Sequence, residues 1–242
     1  MEGKYKVHNH VEGATRIRTI LNQSDLDYKE VDSLPPRDDL TFNNGFYANC
    51  SALFVDIRDS SKLPDKHKRP VLARLYRSFV SEMVAVFAGF EKVREVNIVG
   101  DCVWAVYNTP YKADINSVFA RAFIANSMVN ILNKELEKRG ITTITVGIGM
   151  SYGRALMIKA GYEGSGMNDV VYMGDVVNAA AKLAAQGNKT WSDKSLMVSD
   201  VFKGNLNDDN QALLSWNSTR GCWHGNVVAT TVEQWITEEY GS

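Results

Sequence analysis

The sequence predicts an α+β domain, and three observations carry that expectation. Apolar runs of strand length, such as residues 51–56 and 102–107, alternate with stretches whose apolar residues recur at helical spacing. Gly100-Asp101 separates two strand-like runs in the manner of a hairpin turn. The resulting order within residues 46–150 is β-α-β-β-α-β, that of a ferredoxin-like sheet with helices on one face.

Residues 1–44 read as an N-terminal extension, packed only in part on a domain spanning 45–242. They are polar, carry acidic Asp25, Asp27, Glu30 and Asp32, and are broken by Pro35-Pro36. One short helix is expected over 13–23. His8 and His10 lack further ligands and read as surface residues. The first strand, Ser-Ala-Leu-Phe-Val-Asp, ends in the carboxylate of Asp56. Leu72, Leu75, Phe79, Met83 and Phe87 mark an amphipathic helix over 67–89. Strands at 93–99 and 102–107 flank the hairpin turn, a second long helix covers 113–138, and a strand covers 142–150. A Gly-rich stretch and a strand at 170–173 follow. A third helix is expected over 176–186 with Asp175 as its N-cap. Extra C-terminal elements end the chain: strands at 195–198, 212–216 and 227–235, and a short helix near 199–205.

The 242 residues suit one domain with appendages. A net charge of −1 gives no field that would gather nucleic acid or an anionic membrane surface. No apolar run approaches the ~20 residues of a spanning helix, and no leader-like stretch opens the chain. Cys50, Cys102 and Cys222 are scattered and odd in number, so they read as reduced, in a cytoplasmic protein.

The chemistry centres on Asp56 and Asp101. In the expected sheet the first strand lies beside the strand entering the hairpin, so the two carboxylates converge. Two carboxylates that close repel unless a cation intervenes. Mg²⁺ or Mn²⁺, hard ions that take oxygen ligands, resolve that repulsion. Taken alone, each Asp would rather cap or shape a turn; the surrounding motifs decide otherwise.

Phe54-Val-Asp-Ile-Arg-Asp-Ser-Ser61 and Ile98-Val-Gly-Asp-Cys-Val-Trp-Ala105 resemble the two metal-binding motifs of class III nucleotidyl cyclases. Val170-Val-Tyr-Met-Gly-Asp-Val-Val-Asn-Ala-Ala-Ala-Lys-Leu183 resembles that family's third motif. The resemblance implies a homodimer with active sites at the interface and two metal ions per site. It places the metals on Asp56, Asp101 and the backbone carbonyl of Ile57, and phosphates on the amides near Ser60 and Ser61. The other subunit would contribute Asn178, matching the ribose-positioning residue, and Lys182, where the family usually has arginine. Arg154 matches a phosphate-binding arginine segment, and Arg220 or His224 falls near the terminal-phosphate position. Asp59 stands where the family often has Gly.

The family's two base-reading positions fall on Asn97 and Val171. Val171 makes no polar contact, and Asn97 both donates and accepts. Tyr47 could narrow the base pocket toward a one-ring base. The chain is therefore similar to bacterial pyrimidine cyclases of anti-phage signalling, whose product acts through a cyclic-nucleotide-binding effector. UTP is favoured and CTP remains open. The alternatives are an adenylate cyclase with unusual base contacts, a degenerate nucleotide-binding regulatory domain, and a polymerase-like palm. The intact Asp56, Asp101 and Asn178 weigh against the degenerate domain, and the third-motif helix against the palm.

Overall fold

The computed structural model describes residues 3–241. The elements are α1 (His10–Leu21), β1 (Tyr28–Glu30), β2 (Gly45–Ile57), α2 (Leu63–Lys66), α3 (Arg69–Ala88), β3 (Val93–Val99), β4 (Cys102–Asn108) and α4 (Lys112–Glu137). They continue with β5 (Val146–Tyr162), β6 (Met167–Met173), α5 (Asp175–Ala184), β7 (Leu196–Val198), α6 (Asp200–Gly204), α7 (Asp208–Ala212), β8 (Ser215–Asn217), β9 (Cys222–Gly225) and α8 (Thr230–Tyr240).

The sheet runs β3-β4-β2-β5-β7-β9-β8, with β1 added to β2 and β6 to β5. The ferredoxin-like order β5-β2-β4-β3 is present. However, β2 lies beside β4, the strand leaving the hairpin, and not beside the entering strand β3 as expected. The two carboxylates still converge, because Asp56 pairs with Cys102, the residue after Asp101.

Side-chain alternation sorts the sheet into two faces. Leu53, Val55, Val103, Ala105, Val146 and Ile148 point one way and are covered by α3 and α4 through Phe79, Phe87, Val118 and Phe119. Helix α4 is long and apolar enough to cross a membrane by length and composition, but its inner side is buried on this face. Ala52, Phe54, Val106, Ala155 and Met157 point the other way and are covered by α5 through Val176, Ala180 and Ala184. Helix α5 sits very close to β5. A Cβ on Gly147 would lie 2.0 Å from the Ala184 carbonyl oxygen, and one on Gly149 would lie 2.1 Å from that of Ala180.

The N-terminal segment is less of an appendage than its composition suggests. Helix α1, capped by Asn9, buries nothing. Leu34 and Leu40, by contrast, are buried in the same apolar cluster as Val176, Ala180 and Ala184, each burial stabilising by roughly 1.5–3 kcal/mol. The Leu34 N–H donates to Asn108 Oδ1 at 2.9 Å, and Arg94 Nε donates to the Leu34 carbonyl at 3.3 Å. Residues 33–40 thus strap across the second face.

Three further expectations are corrected. Strand β5 does not stop at Met150 but runs 17 residues through Gly153 and Gly161, because β2 offers a continuous partner edge from Ile57 back to Gly45. The residue flanking α5 is Gly174, at φ 147, and Asp175 is its first helical residue. Residues 227–235 are not a strand: most belong to α8. Their β-branched content is overridden by packing on α4, with Ile236 buried and Asn130 Nδ2 donating to Glu233 Oε1 at 3.0 Å.

Candidate active site

Asp56 and Asp101 meet where the β3–β4 turn passes the end of β2. Gly100, at φ 62, allows a two-residue connection between paired Val99 and Cys102. Even-numbered Asp56 shares a face with Phe54 and α5. Burial raises its carboxyl above the ordinary carboxylate value, the Arg58 guanidinium opposes that shift, and Asp101 adds to it. The carboxylates therefore feel one another. Arg58 donates to Asp56 Oδ2 and, at 3.0 Å, to the Ala185 carbonyl at the end of α5. Its Nε is buried without a protein partner.

The chain after Asp56 forms the rest of the loop. Ile57 is buried and pairs with Val146. Asp59 adopts a left-handed backbone, φ 53, which explains why glycine suits this position. Its side chain is exposed and pairs with Lys62 at 3.1 Å, so it faces solvent. Ser60 and Ser61 open a 3₁₀ turn, Ser60–Lys62, whose first N–H groups have no intrahelical partner. The Tyr76 hydroxyl donates to the Ser60 carbonyl at 3.5 Å. The Cys102 thiol is pushed up to about 12 by burial and by the two carboxylates, so it stays protonated.

This donor set, carboxylate and carbonyl oxygens with two mutually repelling charges, fits a hard divalent ion. Among the described residues no group of three or more His, Cys, Asp or Glu could hold a metal alone. Two carboxylates leave coordination positions that phosphate oxygens can fill.

Beside the carboxylates lies an aromatic shelf that the linear motifs did not single out. The Phe54 and Trp104 rings stack, with centroids 5.1 Å apart and planes 2° apart. Asn97 pairs with Trp104 on this face. Helix α5 turns Asn178 and Lys182 outward, both exposed and one turn apart. Val171 is exposed on β6, and its pairing with Ile158 puts it on the side of Arg154, away from Asn97 and Trp104.

Four more expected residues are not brought to this place. Tyr47 and Arg154 lie on the opposite face, near the far end of β2, where Arg154 pairs with Glu30 and stacks on Tyr47 at 4.6 Å. Nine strand positions separate Tyr47 from Asp56, ~30 Å. Arg220 donates from Nε and Nη2 to the two oxygens of Asp193, at 3.1 and 2.7 Å. His224 is buried on β9, three strands from Asp56, beside Asn217. Burial lowers its pKa below the ordinary histidine value, so it is a neutral packing group. Arg58 was legible only as part of its motif, with no role assigned.

Residues 43–212 match the family described as the adenylate and guanylate cyclase catalytic domain. The chain belongs to that family. It is similar to a uridylate cyclase of Treponema porcinum, 41% identical over 235 residues that cover 96% of this chain and 82% of the relative. It is also similar to a uridylate cyclase of Gulbenkiania mobilis, 42% identical over 205 residues, covering 82% and 79%. Among solved structures, a class III adenylyl cyclase-like ATP-binding protein from Pseudomonas aeruginosa superposes with a TM-score of 0.70 at 18% identity, covering 94% of this chain and 48% of that one. The adenylyl cyclase CyaB from P. aeruginosa gives 0.59 at 17% identity, covering 71% and 85%. These two likenesses bear on the fold alone, the α+β fold of class III cyclases. The chain is a nucleotidyl cyclase.

Proposed function

We propose that this cyclase converts UTP to 3′,5′-cyclic UMP and pyrophosphate, in a homodimer whose two sites each combine residues of both subunits. The observation that carries the substrate is the likeness, above 40% identity over most of the chain, to two proteins named uridylate cyclase. The lack of a polar side chain at Val171 agrees with it, since a purine pocket with two polar readers is missing.

Asp56, Asp101 and the Ile57 carbonyl would hold two Mg²⁺ or Mn²⁺ ions. Such ions neutralise triphosphate charge and lower the pKa of the attacking ribose 3′-hydroxyl. The amides of Ser60 and Ser61 receive phosphate oxygens. From the partner, Asn178 orients the ribose and Lys182 faces the charge that builds at the α-phosphorus. The O3′–P bond forms as the bond to pyrophosphate breaks, and the 3′-hydroxyl proton passes to solvent or to the departing pyrophosphate. Arg58 holds the Asp56 carboxylate toward the site and ties it to α5. The catalytic domain runs from residue 45, with 33–40 as a strap it requires. The setting is cytoplasmic, and the product serves a separate cyclic-nucleotide-binding effector in antiviral defence.

The test presents UTP, CTP, ATP and GTP to the full chain with Mg²⁺ or Mn²⁺ and identifies products by mass spectrometry. Cyclic UMP should dominate; cyclisation of ATP alone would refute the substrate. For the composite site, inactive Asp56→Ala and Asn178→Ala chains are mixed. Exchanged heterodimers retain one intact site, so up to about a quarter of wild-type activity should return. No recovery, with subunit exchange demonstrated, would rule out shared sites.

A further inference from the structure

The strap carries a charged group that the cyclase motifs do not include. Arg37 opens a 3₁₀ turn between the buried anchors Leu34 and Leu40. Its Nη1 donates to both oxygens of Glu95, at 3.2 and 3.1 Å, and its Nη2 donates to Asp169. Glu95 and Asp169 each lie two residues before a base-reading position, Asn97 on β3 and Val171 on β6. Residues two apart on a strand share its side. Glu95 therefore lies one strand step, ~7 Å, from Asn97 on the same side of β3, and the guanidinium bound to it joins β3 to β6.

The chemistry of this group is one-sided. A guanidinium has five N–H donors and no acceptor. Contacts to Glu95 and Asp169 engage part of that set, and the side chain remains half exposed. Glu95, with 12% of its side chain exposed, has both oxygens engaged by Arg37. With Arg37 present, this end of the shelf offers donors. Without it, a nearly buried carboxylate offers acceptors.

We propose that Arg37 reads the substituent at C4 of the pyrimidine. Uracil carries a carbonyl oxygen there, which accepts from the guanidinium. Cytosine carries an amino group, which places donor against donor. The inference rests on the pyrimidine reading above and deepens it, because it explains a preference for uracil that Asn97 and Val171 do not. It also makes the N-terminal strap part of the specificity apparatus. Removing Arg37 should do more than slow the enzyme: the freed Glu95 carboxylate suits the cytosine amino group, so the preference should move toward CTP.

The experiment measures kcat/KM for UTP and CTP with the full-length wild type, Arg37→Met, Arg37→Lys and Asp169→Asn. In Arg37→Met the UTP/CTP ratio should fall on the order of 10²-fold, as expected when a charged hydrogen bond is lost and its partner exposed. Arg37→Lys should fall between. Asp169→Asn, which keeps the guanidinium on Glu95, should hold the wild-type ratio. A structural strut would slow both substrates together, so an unchanged ratio in Arg37→Met overturns the proposal. If Arg37→Met does not fold, Arg37→Lys carries the same decision: a lowered ratio supports the reader and an unchanged one removes it. A wild type that cyclises only purine triphosphates refutes the pyrimidine reading and this inference together. A wild type that prefers UTP with a ratio insensitive to Arg37 refutes this inference alone.

Discussion

Two aspartate–arginine pairs, Asp193–Arg220 and Asp56–Arg58, use the same groups to opposite effect. Asp193 is buried, and it accepts from Arg220, from Thr190 and from Asn217. Hydrogen bonds from Arg220, above all, hold its carboxyl well below the usual carboxylate range. Asp56 has one arginine, a like charge in Asp101, and a third of its side chain open. Burial lifts its carboxyl instead. The first pair is satisfied from within the chain and serves the fold. The second is under-satisfied from within the chain, which is the condition under which a carboxylate takes an outside cation.

The comparison is broken hardest by neutralising each aspartate. Asp56→Asn should lower turnover at least about 10³-fold, equivalent to ~4 kcal/mol of barrier, yet hold or raise the Tm of metal-free protein near neutral pH, because a disfavoured charge is removed. Asp193→Asn should reverse the pattern. Activity per folded molecule should persist while Tm falls by about 5 °C or more, given a typical shift of roughly 2–4 °C per kcal/mol at this size. If Asp56→Asn loses more Tm than Asp193→Asn, the assignment of roles is inverted.

Acid sharpens the same contrast. Because the folded pKa of Asp193 is depressed, the unfolded chain takes up that proton first as pH falls. The stability it contributes is present above the ordinary carboxylate pKa, about 4, and drains away below it. Denaturation curves of wild type and Asp193→Asn should therefore approach one another as pH drops below about 4; a constant gap would show that Asp193 is not the titrating group.

Smaller effects follow along the cleft. Lys182→Ala should lower kcat about 10²-fold, the scale of one transition-state charge contact, with KM little changed. Lys182→Arg, which keeps the charge and adds a planar fork, should retain at least wild-type turnover; equal loss in both variants would remove Lys182 from the chemistry. Smallest of all, Arg154→Ala should leave kcat/KM within about two-fold, because its pair with Glu30 is an exposed one. A large loss would restore Arg154 to the site.

Much of this was legible because local and global signals agree. The run into Asp56, the Gly100-Asp101 turn and the Asn178–Lys182 spacing each state their structure in a few adjacent residues. What failed depended on distant partners. Tyr47 and Arg154 fall on the face away from Asp56 of the same chain, which only the long pairing of β2 with β5 reveals. Val227, Val228, Thr230 and Thr231 read as strand until α4 supplies a helix to pack on. Arg37 announces nothing locally; its meaning comes from Glu95 and Asp169, 58 and 132 residues away.

The glycines beneath α5 bear on how such enzymes can be rebuilt. Gly147 and Gly149 act as a spacer of zero thickness, fixing the height at which Asn178 and Lys182 ride above β5. Grafting the third-motif helix onto another sheet therefore means transplanting two residues that touch no substrate. Selection on the substrate pocket would be visible in the sequence as an intolerance of alanine at the floor of a different element.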